Sequence, residues 1–285
     1  MSRGPGPAIR VSVDPANPGQ FFACCGLLEL ADRLWGGAEG WFDGETFAIQ
    51  VQGDGSLSAL LMAFKNSSLV GDGDGDGQDA TDDQEDAKAK PMEIAFPGQG
   101  TRLSLDWWAE KSLKSWAGSM NAQLIFHAMK GAIDERCPEP FHDLRMVSDP
   151  VRHPKPIQGE KKRKKKGKKR EPFYFDARRG AKAHPVDVGF SPNAITEITC
   201  VACPAVESLC LVGLQRHRPK PTSRPRVFEY HTWSSPLCLE VTPVAVIGLL
   251  AHVGHRGYRF ENAFRTDQRK HKGFIQATPL ERKGL

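Results

Sequence analysis

Alternating and helically spaced apolar residues divide the first hundred positions into short strands and two helices. Residues 9–13 alternate apolar and polar side chains, which predicts a strand, whereas the apolar residues within 20–35 recur at helical spacing. A second helix is predicted over residues 56–65, with Ser56 as its N-cap. Further strands are predicted at 40–42, 46–51 and 92–96.

The order of these elements, βαββαβ, is that of the split βαβ or ferredoxin-like fold. It is also the topology of the RRM, whose sheet binds single-stranded RNA. We therefore predict an α+β protein with a ferredoxin-like (RRM-like) core in residues 1–105, interrupted by an acidic insertion at 71–90. Residues 106–285 are predicted to form a helical and strand-containing elaboration with a basic insertion at 158–171.

The second half alternates helical and extended patterns around a proline-rich stretch. Helical spacing runs through residues 106–134, and Pro204 occupies the first position of a second predicted helix. The other predicted elements are a short strand within 172–180, the helix at 204–215, a strand at 226–233, an apolar helix at 243–252 and closing strands at 258–260 and 274–277.

The charge of the chain is unevenly distributed, although its net value is only +5. Residues 71–86 (GDGDGDGQDATDDQED) are almost entirely acidic residues and glycine, and 161–170 (KKRKKKGKKR) are almost entirely basic. Like charges repel, and neither block offers apolar surface to bury. Both blocks are therefore predicted to be loops inserted into a folded body.

Apolar runs and cysteines indicate the class of protein. No apolar run reaches the roughly 18 residues that span a bilayer, and the N-terminus lacks the apolar core of a secretory signal. The seven cysteines are scattered and odd in number, which favours reduced thiols. We therefore expect a cytoplasmic, soluble protein without a membrane partner.

Two segments imitate metal sites. Residues 72–83 place Asp at alternate positions as a calcium loop does, but its eighth and twelfth positions are Asp79 and Asp83 instead of an aliphatic residue and a bidentate Glu. Cys200 and Cys203 have the spacing of a zinc half-site, whereas a closed site needs four ligands. A low-complexity loop and structural thiols are the favoured interpretations, and no metal or cofactor is predicted.

Catalytic motifs are absent from the sequence, which contains no nucleophile elbow, Walker loop or HExxH. A metal-free ribonuclease needs only a His near a Tyr or Lys, and His231 follows Tyr230, while His217 is a second candidate. Such pairs are common by chance. A protein without catalytic activity is therefore predicted, with a ribonuclease as an alternative.

Basic residues alternate with aromatic ones in several ordered-looking segments. Guanidinium groups bind phosphates and aromatic rings stack on bases, so this interleaving is what single-strand binding requires. Equally, it occurs on any sheet that has one buried face. The predicted phosphate contacts are Arg178, Arg179, Lys182, Arg216, Arg265 and Lys272, and the accompanying rings are Phe173, Tyr174, Phe175, Tyr258, Phe260, Phe264 and Phe274.

Three tryptophans lie close together in the sequence, at Trp107, Trp108 and Trp116. Two adjacent indoles on a helix cannot both face the same core, so one of them is expected to meet a partner chain. We therefore predict these three residues as docking positions.

Four phrases of the sequence resemble one known family. They are NPGQFFACCGLLELADRLW, DWW with KSWAG, FDARRG with DVGFSP, and PAVESLCLVGLQRHRP. Together they are similar to a small accessory or effector subunit family of type I-G (formerly I-U) CRISPR systems, encoded beside the backbone subunit. The similarity runs from about residue 9 to about residue 277.

The resemblance implies a non-catalytic subunit of a crRNA-guided surveillance complex (Cascade) in antiviral defence. Its implied partners are crRNA or target DNA, the other effector subunits and, in one alternative, the helicase-nuclease. Effector subunits of these systems are often built on RRM-like cores that carry insertions, which agrees with the βαββαβ order. In these complexes the guide RNA recognises its target by base pairing, while the protein binds the backbone of the nucleic acid. The alternatives are a metal-independent crRNA-processing ribonuclease and a protein-only adaptor that recruits the helicase-nuclease.

Overall fold

The computed structural model describes residues 6–70, 91–98, 100–117, 120–148, 170–179, 201–250, 256–265, 269 and 271–281. Within these ranges the helices are α1 (Pro18–Trp35), α2 (Leu57–Asn66), α3 (Ala122–Gly131), α4 (Pro204–Arg216) and α5 (Thr242–Val246). The strands are β1 (Ile9–Ser12), β2 (Glu39–Asp43), β3 (Thr46–Gln50), β4 (Ser68–Val70), β5 (Met92–Ala95), β6 (Arg102–Leu105), β7 (Arg145–Met146), β8 (Val201–Ala202), β9 (Lys220–Pro221), β10 (Val227–His231), β11 (Leu237–Cys238), β12 (Gly257–Phe264), β13 (Lys272–Phe274) and β14 (Thr278–Pro279). The predicted α+β class is confirmed. The acidic insertion, with its calcium-like pattern, and nearly all of the basic insertion lie outside these ranges.

Helix α1 begins and ends where its sequence provides caps. The Asn17 side chain accepts a hydrogen bond from the N–H of Gly19 (3.1 Å), and Pro18 takes the first helical position, where a missing N–H is harmless. At the other end Gly36 has a φ of 71° and donates its N–H to the carbonyl oxygen of Asp32. The helix therefore starts slightly before its predicted first residue and ends as predicted.

The first three strands and α1 form a split βαβ unit. Strand β3 lies between β1 and β2 and is antiparallel to both. The predicted fourth strand, β5, pairs instead with β4 and β6 in a separate sheet, because β4 follows α2 directly and offers it a local antiparallel partner. Strand β11, from the second half of the chain, extends the first sheet at β2. The predicted elements are present in order, but the described strands do not form the four-stranded sheet of a ferredoxin-like core.

Helices α1 and α4 contact each other through glycines. A Cβ atom on Gly26 would overlap the carbonyl oxygen of Leu209. One on Gly213 would overlap the carbonyl oxygen of Phe22 and would lie 2.8 Å from the Gly26 nitrogen. Since α1 and α4 come from the two predicted halves, both halves contribute to one hydrophobic core. The division of the chain near residue 105 stays a prediction.

The second large sheet includes Lys272 in β13, and Arg265 directly follows its strand β12. Its strands are ordered β13-β12-β10-β9, with β14 also paired to β12. The predicted strands at β10 and β12 and the predicted helix α4 are confirmed. The predicted strand at 274–277 is displaced to β13. The predicted helix at 243–252 is limited to α5, which ends just before Gly248 adopts a φ of 78°.

Two further predictions are corrected in irregular parts of the chain. Among the described residues of the stretch 106–134, the helical elements are a 3-10 turn (Trp107–Ala109) and α3. The segment 172–179 is not a strand and ends in a 3-10 turn, Ala177–Arg179. Within the part of the chain that the structure describes, no helix combines the length and hydrophobicity needed to cross a bilayer.

Candidate nucleic-acid interface

Three basic side chains lie together where β12 and β13 meet, and we call Lys114, Arg226 and Lys272 the hairpin cluster. Lys272 is paired with Phe264 in the β12–β13 register, and the Arg226 guanidinium lies 4.5 Å from the centroid of the same ring. The Lys272 ammonium donates to the carbonyl oxygen of Lys111 (3.0 Å). The loop that contains Lys111 continues to Lys114, which is the third cation near the hairpin.

The positive charge of the hairpin cluster is poorly compensated. Burial, together with the charges of Arg226 and Lys114, lowers the pKa of Lys272 to about 8. Burial and the charge of Lys111 lower the pKa of Lys114 as well. Among the described residues, the carboxylate that forms an ion pair with the cluster is Glu261, 3.5 Å from Arg226. Three cations facing one carboxylate favour the binding of a polyanion.

A second basic group surrounds Tyr174. The Arg265 guanidinium lies 3.4 Å from the centroid of the Tyr174 ring, and that of Arg179 lies 5.9 Å from it. Arg265 directly follows β12, and its N–H donates to the carbonyl oxygen of His271 (2.9 Å). The Tyr174 carbonyl oxygen in turn accepts from the N–H of Phe274 in β13 (3.0 Å). The same hairpin therefore positions both basic groups.

A buried carboxyl group fixes the segment that carries Tyr174 and Arg179. Glu207, in the first turn of α4, accepts hydrogen bonds from the N–H groups of Phe175 (3.2 Å) and Asp176 (3.1 Å). Burial, reinforced by the charge of Asp176, raises the pKa of Glu207 to about 7. The segment is thus held from the protein interior rather than by strand pairing.

Two predicted phosphate contacts already have carboxylate partners. Arg178 forms an ion pair with the buried Asp176 (2.5 Å) and donates to the carbonyl oxygen of Phe141 (2.7 Å). Arg216 lies 2.6 Å from Glu29, whose carboxylate is buried. Because each arginine neutralises a buried acid, binding a phosphate would compete with an internal ion pair. The side-chain hydrogen bonds and ion pairs described for both arginines are with residues outside the hairpin, and Lys182 lies outside the described residues.

Trp107, Trp108 and Trp116, the predicted docking residues, are in the interior. Their exposed fractions are 2%, 3% and 4%, and their ring centroids are 5.9 Å from one another. Trp107 Nε1 donates to the carbonyl oxygen of Leu211 (2.9 Å). The premise that adjacent indoles cannot share one core is wrong here, because the first two sit on a short 3-10 turn and the third packs against both. A docking role would require these rings to leave the core.

The rings expected to stack on bases are also buried. They take part in ring-to-ring contacts within the core, such as Phe175 with Phe274 (5.1 Å) and Phe260 with Phe274 (4.9 Å). Phe264 keeps partial exposure beneath the Arg226 guanidinium. The interleaved pattern therefore marks a sheet with one buried face, which is the alternative that the sequence left open. The buried rings are Phe173, Tyr174, Phe175, Tyr258, Phe260 and Phe274.

The candidate histidines of the ribonuclease alternative lie in different surroundings. His217 is fully buried, its Nε2 is 2.7 Å from Thr242 Oγ1, and burial lowers its pKa to about 4. The hydroxyl of Tyr230, the neighbour of His231, is buried and donates to the carbonyl oxygen of Pro15 (2.7 Å). His217 and the Tyr230 hydroxyl are therefore both in the interior, whereas His231 is half-buried, and the ribonuclease stays a hypothesis.

Metal-binding side chains do not converge in the described ranges, where no group of three or more His, Cys, Asp or Glu is arranged to hold an ion. Cys203 is buried, donates to the carbonyl oxygen of Pro140 (3.1 Å), and has a pKa raised by burial to about 12. Such a thiol is a poor source of the thiolate that zinc requires. Cys200 lies outside the described residues.

Two members of the candidate interface, Lys114 and Arg226, were missed by the sequence reasoning. Lys114 follows Leu113 in a stretch predicted to be helical, and Arg226 is the first residue of a predicted strand that follows several prolines. Their recruitment depends on which strands pair, since the Arg226 carbonyl oxygen accepts from Asn262 in β12 (2.9 Å). A weak signal existed for Arg226, which stands at the start of a predicted strand.

Comparison with known proteins does not connect the chain to a relative: no family model, no curated protein and no solved structure matches it.

Proposed function

We propose that the protein is a non-catalytic, nucleic-acid-binding subunit of a type I CRISPR surveillance complex. In this proposal the hairpin cluster, Arg179 and Arg265 contact the phosphate backbone of crRNA or target DNA. The supporting observation is the convergence of five basic side chains on one hairpin, three of which the sequence predicted. A ferredoxin-like relationship belongs to the same proposal and is supported by the split βαβ unit.

Nucleic acid is the polyanion that this arrangement suits best. Lysine and arginine side chains replace condensed counterions along a phosphate backbone, so affinity depends on the number of cations and on salt. The basic residues come from four separate segments, namely the loop at Lys114, the segment that ends at Arg179, the residue before β10 and the β12–β13 hairpin. Segments fixed to one sheet present their charges at constant spacing, which suits a regularly charged strand more than a single small anion.

Co-expression with the other effector subunits and a CRISPR array tests the proposal. A tag on this chain is expected to recover the other subunits together with an RNA of one length. The triple variant Lys114→Met, Arg226→Met and Lys272→Met keeps the aliphatic stems, and we expect at least fivefold less ultraviolet crosslinking to RNA or DNA. The matched control is Arg102→Met, which removes an exposed arginine that pairs with Glu93 (3.5 Å) in the separate β4-β5-β6 sheet.

Each other outcome of this experiment contradicts part of the proposal. Recovery of the subunits with no crosslink from this chain to RNA or DNA would favour the protein-only adaptor. Recovery of the chain alone would exclude a stable subunit. A defined cut in repeat RNA, made by the pure protein in the presence of a chelator, would favour the ribonuclease.

Nucleic-acid binding is expected to weaken between pH 7 and pH 9. Lys272, with a pKa of about 8, is mostly charged at pH 7 and mostly neutral at pH 9. The charges of Arg226 and Lys114 oppose its protonation. The loss of one charge-assisted contact lowers affinity about tenfold, measured by fluorescence anisotropy with a labelled single strand. Lys272→Arg is expected to keep binding nearly constant over this range, and an equally steep fall in that variant would remove Lys272 from the interface.

A further inference from the structure

The outer face of strand β2 presents three side chains in a line, Glu39, Trp41 and Asp43, which we call the β2 row. Successive residues of a strand point to opposite faces, and the two residues between them, Gly40 and Phe42, are buried. Glu39 and Asp43 are exposed, and Trp41 is half-buried. Each carboxylate position lies about 7 Å along the strand from the tryptophan. The β2 row therefore sets an indole ring between two carboxylates.

The side chains of the β2 row are not engaged with the rest of the protein. Among the described residues, neither carboxylate forms an ion pair, and the Trp41 indole forms no hydrogen bond and no ring-to-ring contact. The rings of Trp107, Trp108, Trp116 and Trp233 differ, because each packs against other rings. No Lys or Arg of the described ranges lies over the Trp41 ring, although three other rings of the chain carry such a cation.

The strand register indicates how Trp41 is placed on the sheet. Ala48 of β3 is paired with Trp41 on one side and with Arg10 of β1 on the other, so the three residues share the outer face. Ala48 is fully buried on this face, which requires cover from the larger side chains that are paired with it. An indole that covers Ala48 keeps its opposite ring face towards solvent.

The charge of this face is opposite to that of the hairpin cluster. Glu45, exposed in the turn after Asp43, adds a third carboxylate, whereas Arg10 is the cation at the paired positions of β1. Carboxylates beside the ring repel a phosphate backbone and attract a cation. Trp is the aromatic side chain whose ring face attracts a Lys or Arg most strongly, and a carboxylate beside it can accept charge-assisted hydrogen bonds from the same cation.

We propose that the β2 row is a docking site for a basic segment of a partner protein, with an arginine or lysine of that segment over the Trp41 ring and between Glu39 and Asp43. The inference goes beyond the proposed function and does not depend on nucleic-acid binding by the hairpin cluster. Charge complementarity selects this occupant. A twofold dimer of this chain would place the same patch on both subunits, so that carboxylates would face carboxylates.

The test uses the full-length chain and a labelled five-residue peptide in which arginine and valine alternate, with citrulline in place of arginine in its neutral counterpart. Fluorescence anisotropy is expected to show tighter binding of the arginine peptide, which should also shift the indole N–H resonance of Trp41. The double variant Glu39→Gln and Asp43→Asn is expected to weaken binding about fivefold and to reduce its salt dependence, because two exposed ion pairs are lost. Trp41→Phe keeps a ring with a weaker attraction for cations, and its affinity is expected to lie between these two.

The matched control is Glu93→Gln, which removes an exposed carboxylate of the separate β4-β5-β6 sheet and is expected to bind the peptide as the wild type does. Trp41 packs partly against the core, so circular dichroism and thermal melting check the fold of Trp41→Phe. The double variant changes only exposed side chains and decides the question if Trp41→Phe fails to fold.

Peptide binding that is unchanged in the double variant, or equal for the citrulline peptide, overturns the inference. Self-association in sedimentation that the double variant abolishes would assign the face to a second copy of the chain and overturn the proposed occupant. Oligonucleotide binding that Trp41→Phe weakens as much as peptide binding would assign the ring to nucleic acid and overturn it as well. The proposed function is tested separately, by crosslinking of the Lys114, Arg226 and Lys272 variant, and stands or falls independently of these results.

Discussion

Replacing Gly213 with alanine is expected to destabilise the protein by about 3 kcal/mol, although the same change in a helix usually stabilises. A methyl group at this position would overlap the carbonyl oxygen of Phe22 in α1. Because the methyl group would meet a backbone atom, the overlap can be relieved only if the two helices separate and the core between them repacks. We therefore expect a loss of stability at the upper end of the range for overpacked cores. Gly26→Ala, on the opposite side of the contact, is expected to act similarly.

The control for this prediction is Gly131→Ala, the last residue of α3. Nothing lies within 4 Å of a Cβ built there, so the substitution keeps only the gain in helix propensity, at most about 1 kcal/mol. Urea unfolding measures both free energies, and the melting temperature of Gly213→Ala is expected to fall by about 10 °C. Equal effects of the two substitutions would mean that α1 and α4 are farther apart than described.

The local elements were largely predictable because their signals are local. Asn17 and Pro18 mark the start of α1, and Pro204 marks the start of α4. Which strands pair was not predictable in the same way. Strand β5 had the hydrophobic pattern of a ferredoxin edge strand, yet it pairs with β4 and β6, a choice that depends on neighbours and not on its own residues.

The residue types of the candidate site could be predicted from the sequence, but the ion-pair partners and the burial of each side chain could not. A sequence indicates that Arg178 and Arg265 are basic and lie next to aromatic residues. It does not indicate that one pairs with Asp176 while the other, 87 positions later in the chain (265 − 178), stays buried without an acceptor. The same limit explains the tryptophans, since whether Trp107 faces solvent or core depends on segments that are distant in the chain.

The stability of the wild-type protein is expected to change little between pH 5 and pH 6.5, because two buried groups titrate in opposite senses. Burial and the charge of Asp176 raise the pKa of Glu207 to about 7 from an ordinary value of 4.5, with Arg179 acting in the opposite direction. In this window the folded state keeps a proton that the unfolded state has lost, so stability falls as pH rises.

His217 has the reverse effect. Burial lowers its pKa to about 4 from 6.5, with the charge of Glu29 opposing this shift and that of Arg216 adding to it. Here the unfolded state binds the proton and the folded state does not, so stability rises with pH between these two values. Each group contributes a slope of about 1.4 kcal/mol per pH unit, or about 2 kcal/mol over 1.5 units, and the two slopes cancel.

Single substitutions separate the two slopes. In Glu207→Gln the free energy of unfolding is expected to rise by about 2 kcal/mol from pH 5 to pH 6.5, because His217 alone remains. In His217→Gln it is expected to fall by about 2 kcal/mol, because Glu207 alone remains, and the stability of the double variant is expected to depend little on pH again.

Chemical unfolding at several pH values measures these slopes independently of the absolute stability of each variant. Parallel curves for the two single variants would contradict the burial of both side chains. Opposite slopes would support the burial of both side chains, with the Glu207 carboxyl group placed where it accepts hydrogen bonds from the N–H groups of Phe175 and Asp176.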